Sequence, residues 1–150
     1  MKKPYFLLVA MVILPAFLSC AKVGGKPSTL QETNESAEQI DPIGQFELGR
    51  MYYWGQGMPQ DNSEALKWFR KSAAQGNSGA QYALGRMYYL GDGVGQDYVM
   101  AYMWFNMAAS QGNLQALKDR DIAAEKMTSA QVEEARKAAA ELKAKNGAPR

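Results

Sequence analysis

GQFELGRMYYWGQGMPQDNSEALKWFRKSAAQGNSG, running from Gly44 to Gly79, is followed at once by AQYALGRMYYLGDGVGQDYVMAYMWFNMAASQGNLQ, Ala80 to Gln115. The two stretches are copies of one 36-residue unit, and about half of their positions match without a gap. Leu48/Leu84, Gly49/Gly85, Tyr52/Tyr88, Asp61/Asp97, Trp68/Trp104 and Gly76/Gly112 are among the pairs. Self-similarity at a fixed period of about 20–50 residues marks a stacked-repeat architecture, in which no unit buries its apolar face alone.

The punctuation inside each copy is helical. Asp41-Pro42 predicts a helix start, with Asp as N-cap and Pro at the first helical position, and this helix runs to about Trp54. Gly55-Gln-Gly57 and Gly91-Asp-Gly93 break the units in the middle, and Asp61 and Asp97 cap a second helix. Glu64 is placed to complete a capping box with Asp61. Gly76 and Gly112 stand where C′ glycines belong, and Asn77 and Asn113 then open the next helix. Each unit is a helix–turn–helix pair, so the expected fold is an all-α solenoid. Trp68, Trp104, Tyr52, Tyr88, Leu48 and Leu84 are its expected core. Gly49 and Gly85 fall mid-helix, where glycine costs about 1 kcal/mol relative to alanine; close helix approach explains tolerating that twice. GDGVGQ, Gly91 to Gln96, is a turn rather than a phosphate cradle, because a helix precedes it and no strand does.

The spacing of Ala80, Leu84, Gly85, Tyr88, Gly91, Gly93, Val94, Asp97, Ala101, Trp104, Ala108, Ala109, Gly112 and Asn113 resembles the Sel1-like repeat, a relative of the tetratricopeptide repeat. The first unit departs from that pattern only mildly, at Gly44, Met58 and Ser72. The resemblance implies a non-catalytic interaction scaffold whose first helices line a concave surface. It also implies the roles of Sel1-like envelope proteins, which assist assembly of exported complexes or restrain signalling proteins. Cysteine-rich relatives linked to β-lactam binding carry paired cysteines that are absent here, so that role does not transfer.

The flanks set the expected address. Lys2 and Lys3 precede an apolar run, Tyr5 to Leu18, shorter than the roughly 20 residues a membrane-crossing helix needs. That is the layout of a secretory signal over residues 1–20. AFLSC, Ala16 to Cys20, resembles a bacterial lipobox, which makes Cys20 the expected lipidation site and membrane anchor. Ser19-Cys20-Ala21 also suits ordinary signal peptidase, giving a soluble periplasmic or secreted chain that starts at Lys22. By resemblance, Ala21 after the cysteine favours the outer membrane. Residues 21–40 are polar and read as a flexible tether. Repeat units are assigned to 41–79 and 80–115. Residues 116–150 read as a capping pair: a helix over Leu114 to Lys126, then one from Ala130 to about Lys145, opened by Thr128 and Gln131.

Composition removes several functions. The net charge is +2 with both signs interspersed, which is no footprint for nucleic acid. There is no histidine, and with it go the commonest general base and the commonest metal ligand. No cofactor site and no enzymatic constellation is expected; an enzyme or binder acting on cell-wall fragments is the alternative from another class. Two sets of residues are candidates for holding a partner, an envelope protein or peptide. Gln45, Arg50 and Tyr53, with their copies Gln81, Arg86 and Tyr89, sit on the first helix of each pair and supply residue types favoured at hot spots. Met100, Met103 and Met107 replace Glu64, Lys67 and Lys71 of the first unit. They leave the second unit's second helix apolar nearly all round, hence covered. The cover is expected to be the C-terminal helix, a partner, or a second copy of the chain in a homo-oligomer.

Overall fold

The computed structural model describes residues 41–147. They form six α-helices: α1 Pro42–Trp54, α2 Asn62–Ala74, α3 Ser78–Leu90, α4 Tyr98–Ala109, α5 Leu114–Ala124 and α6 Ser129–Gly147. No strand occurs among the described residues, and no described helix is long and apolar enough to cross a membrane. The expected secretory segment and tether, with Cys20, lie outside the described residues.

Local side chains decide where the helices begin. Asp41, Asn77 and Asn113 each accept the N–H three residues on, at 2.9 Å, from Gly44, Ala80 and Ala116. Asp61 accepts from Ser63 and Glu64, and Asp97 from Met100. Each bond satisfies a donor that the first helical turn leaves without a partner. The capping box expected at Asp61 is half-formed. Glu64 pairs with Lys67 instead of reaching back, because the Asp61 N–H already donates to the Tyr52 carbonyl at 3.0 Å. At Thr128 the exchange is complete: its N–H donates to Gln131 Oε1 at 2.8 Å, and its hydroxyl accepts from the Gln131 N–H at 3.3 Å. α1 and α3 stop at Gly55 and Gly91, whose φ of 66° and 80° a side chain would make costly.

α1 packs on α2, α2 on α3, α3 on α4 and α4 on α5. Trp68, Trp104, Tyr52, Tyr88 and Leu84 are buried in the resulting core, and Leu48 is partly buried against it. A Cβ on Gly49 would lie 2.6 Å from Phe69 Cδ1, and one on Gly85 would collide with the same carbon of Phe105. Both glycines are therefore sockets for a phenylalanine from the partner helix. The turn at Gly93 joins the repeats: a Cβ there would come within 2.8 Å of the Asn62 backbone.

The tail meets one expectation, as the cover of the methionine face, and departs from another. α6 packs on α4 rather than pairing with α5 as a third helix–turn–helix unit. Its Ala135 and Ala139 are buried, and Arg136 Nε donates to the Tyr102 hydroxyl at 3.2 Å. α6 thus covers the methionine helix. Met103 and Met107 are 5% and 7% exposed and Met100 is partly buried. At the matching positions of α2, Lys67 and Lys71 stay exposed. The methionine face is internal packing within one chain, which corrects the reading of Met100, Met103 and Met107 as a surface open to a partner or a second copy.

Candidate functional site

Two depressions open on the first helices of successive pairs. One, of about 190 Å³, lies between α1 and α3 and is lined by Phe46, Arg50, Tyr53, Trp54, Tyr82 and Arg86 among others. The second, of about 330 Å³, lies between α3 and α5, against Arg86, Tyr89, Leu90, Asp119 and Ile122. Arg86 borders both.

The repeat builds the notches from below. Phe69 of α2 fills the space that Gly49 leaves, and its ring lies 5.8 Å from Phe46 at 42°. One unit on, Phe105 sits against Gly85 with its ring 5.7 Å from Tyr82, again at 42°. Tilted ring pairs at such separations are favourable beyond their buried area. The same glycine that admits the phenylalanine thereby fixes the aromatic residue that lines the notch. Tyr53 packs edge-on to Trp54 at 4.9 Å. Trp54 and Leu90 are the last residues of their helices, and at 58% and 50% exposure they form an apolar rim.

The polar groups on this surface are mostly already engaged. The Tyr53 hydroxyl donates to Asp92 at 2.7 Å and the Tyr82 hydroxyl to Asp119 at 2.8 Å. Burial first, then the bond to its carboxylate and that carboxylate's charge, push Tyr82 up to about 12 and raise Tyr53; Arg86 opposes both. Arg50 forks onto both oxygens of Glu47, at 3.0 and 3.1 Å. In the next unit the place of Glu47 is taken by Ala83. Among the described residues Arg86 makes no hydrogen bond or ion pair, and its side chain is exposed.

Of the candidates, Arg50, Tyr53, Arg86 and Tyr89 come together here. Gln45 and Gln81 do not. They are 4% and 2% exposed, because each accepts a bond from a glutamine 30 residues on: Gln75 Nε2 to Gln45 Oε1 and Gln111 Nε2 to Gln81 Oε1, both 2.7 Å. Gln81 also donates to the Ala73 carbonyl at 3.3 Å. They are rungs inside the stack, a correction to their reading as partner contacts. The structure adds Phe46, Trp54, Tyr82, Leu90, Asp92 and Asp119. A signal for two of them is present in the chain: Trp54 and Leu90 are apolar residues set immediately before a helix-ending glycine. Among the described residues no cluster of His, Cys, Asp or Glu is placed to hold a metal ion.

Comparison with known proteins follows the repeat. The Sel1 repeat model matches residues 42–77 and 78–113, opening each unit at the first helical residue. A Sel1 repeat protein from Oxalobacter formigenes is 38% identical over 61% of this chain and 68% of that one, with a TM-score of 0.57. The chain belongs to the Sel1 repeat family. This Sel1 repeat protein is also similar to c5321, a protective antigen of uropathogenic Escherichia coli strains with an SLR fold. There the identity is 35% over 77% of this chain and the TM-score 0.72, and the chain spans 25% of c5321. No curated protein sequence matches it. Sel1 repeats are generally scaffolds for protein–protein interaction, and the fold is typically non-catalytic.

Proposed function

We propose that this chain is a non-catalytic adaptor of the bacterial cell envelope, holding a partner protein or peptide on the surface of α1, α3 and α5. The observation that carries this is the pair of repeat-related notches, floored by aromatic rings and rimmed by exposed Trp54 and Leu90. An apolar centre with arginine and aromatic anchors is the composition of an interface that binds by shape. The scaffold role general to Sel1 repeats supports the same reading. The alternative, an enzyme acting on cell-wall fragments, gains no support from any group on this surface: its acids, Asp92 and Asp119, are tied to tyrosine hydroxyls.

The test is a photo-crosslinking side chain placed at Leu90 or Trp54 in intact envelopes. Both positions should yield one shared adduct, and Lys67 on α2 should not. The same adducts from all three positions would overturn the assignment of the surface. The lipid anchor is part of the proposal, resting on the lipobox resemblance at Cys20. Labelled fatty acid should enter the wild-type chain and not Cys20→Ala, and that variant should leave the membrane fraction. Label in neither would mark the conventional cleavage route.

A further inference from the structure

We propose that the segment held in this groove is an extended internal peptide presenting one acidic side chain to Arg86, with an apolar side chain in the notch on either side. The inference deepens the adaptor reading and rests on it.

Arg86 is the groove arginine that makes no ion pair or hydrogen bond among the described residues. Its equivalent, Arg50, is closed onto Glu47, one helical turn back. Ala83 removes that carboxylate from the second unit while Arg86 itself is retained. Asp92 and Asp119 do not replace it as partners, since neither forms an ion pair with Arg86 among the described residues. They accept the Tyr53 and Tyr82 hydroxyls, which the geometry fixes at 2.7 and 2.8 Å. A guanidinium with five donors in a planar fork, none of them bonded, matches a carboxylate in both charge and shape.

The surroundings choose which carboxylate. Arg86 stands between the depressions, not at the end of one. Trp54 borders the first notch and Leu90 and Ile122 the second, all of them exposed. A chain terminus seated on Arg86 would fill one notch and leave the other to water. A segment that passes through fills both, so the acid is a side chain, Asp or Glu, within the partner's sequence. An extended backbone suits the crossing, because it runs from one first helix to the next across their axes.

The experiment uses the chain without its secretory segment and short, end-capped peptides carrying Leu, Glu and Leu in varied spacing. Partners in which Glu is replaced by Gln, and peptides that end in a free carboxylate at the Glu position, complete the set. Binding is read by fluorescence anisotropy. The best Glu peptide should bind about tenfold more tightly than its Gln counterpart, the usual scale for a charge-assisted bond. Arg86→Gln should erase that difference, Arg50→Gln should retain it, and added salt should shrink it. Equal binding of Glu and Gln peptides, or a preference untouched by Arg86→Gln, sinks the carboxylate proposal. Tighter binding of the free-ended peptide sinks the internal-segment choice. If no peptide binds, the proposal fails, and the crosslinks from Leu90 and Trp54 separately decide whether the groove reading survives.

Discussion

Gly85 faces the ring of Phe105 so closely that a methyl group in its place must displace the ring or the helix. Two effects oppose one another there. Alanine is worth about 1 kcal/mol over glycine in a helix interior, while forcing volume into a packed core costs typically about 1–3 kcal/mol. The neighbour is an aromatic ring held in the core, so crowding should win. Gly85→Ala is expected to lower stability by about 1–2 kcal/mol in urea melts, and Phe105→Leu in the same chain should give part of it back. The tyrosines give a second residue-scale test. Tyr82 holds its proton up to about 12 in the folded chain, against an ordinary value of 10.0. Folding therefore keeps this contribution in full below pH about 10 and loses it as pH rises towards about 12. Stability should fall across that window, Tyr82→Phe should flatten the fall, and tyrosinate absorbance should show a group titrating late. Tyr53, raised by burial and by Asp92, shifts in the same direction.

Helix boundaries were legible in the chain because capping is a conversation between residues three apart. Asp41, Asp61, Asn77, Asp97 and Asn113 all cap where their spacing predicts. Contacts that span a whole unit were not legible. Gln45 looks like a polar surface residue until Gln75 is brought to it, and nothing within a helical turn of either residue says so. The path of α6 was legible in part, through the methionines on α4 that called for a cover. A polar helix with a stripe of alanines can lie on α5 or on α4, and only the methionines on α4 distinguish them. The tail should behave as a removable cover. Ending the chain after Met127 should expose Met103 and Met107, lower the melting temperature and raise binding of an apolar dye. Met103→Glu, which sets a charge in a buried site, should destabilise the chain by about 3 kcal/mol or more. A variant that melts like the wild type would show that α6 contributes no cover.

Across the whole molecule, stability of a stacked repeat is a sum of unit terms and the interfaces between adjacent units. The glycines at the turns can separate the two. Gly57 and Gly93 share a left-handed backbone, φ 77° and 69°, so alanine strains both alike. Only Gly93 would press its Cβ on Asn62 of the preceding unit, whereas Gly57 would meet nothing nearer than Met51 Cε at 3.7 Å. Gly93→Ala should therefore cost more than Gly57→Ala, by about 1–3 kcal/mol, and the excess measures the joint between repeats. The glutamine rungs carry this further. Leu117 occupies the place that Gln45 and Gln81 hold in the earlier units, so the ladder has no third step to offer. Splicing a further copy of residues 78–113 after Asn113 would supply that step, together with one more notch and one more arginine. Such a chain would work as a longer ruler, reading a target segment lengthened by one apolar and one acidic side chain.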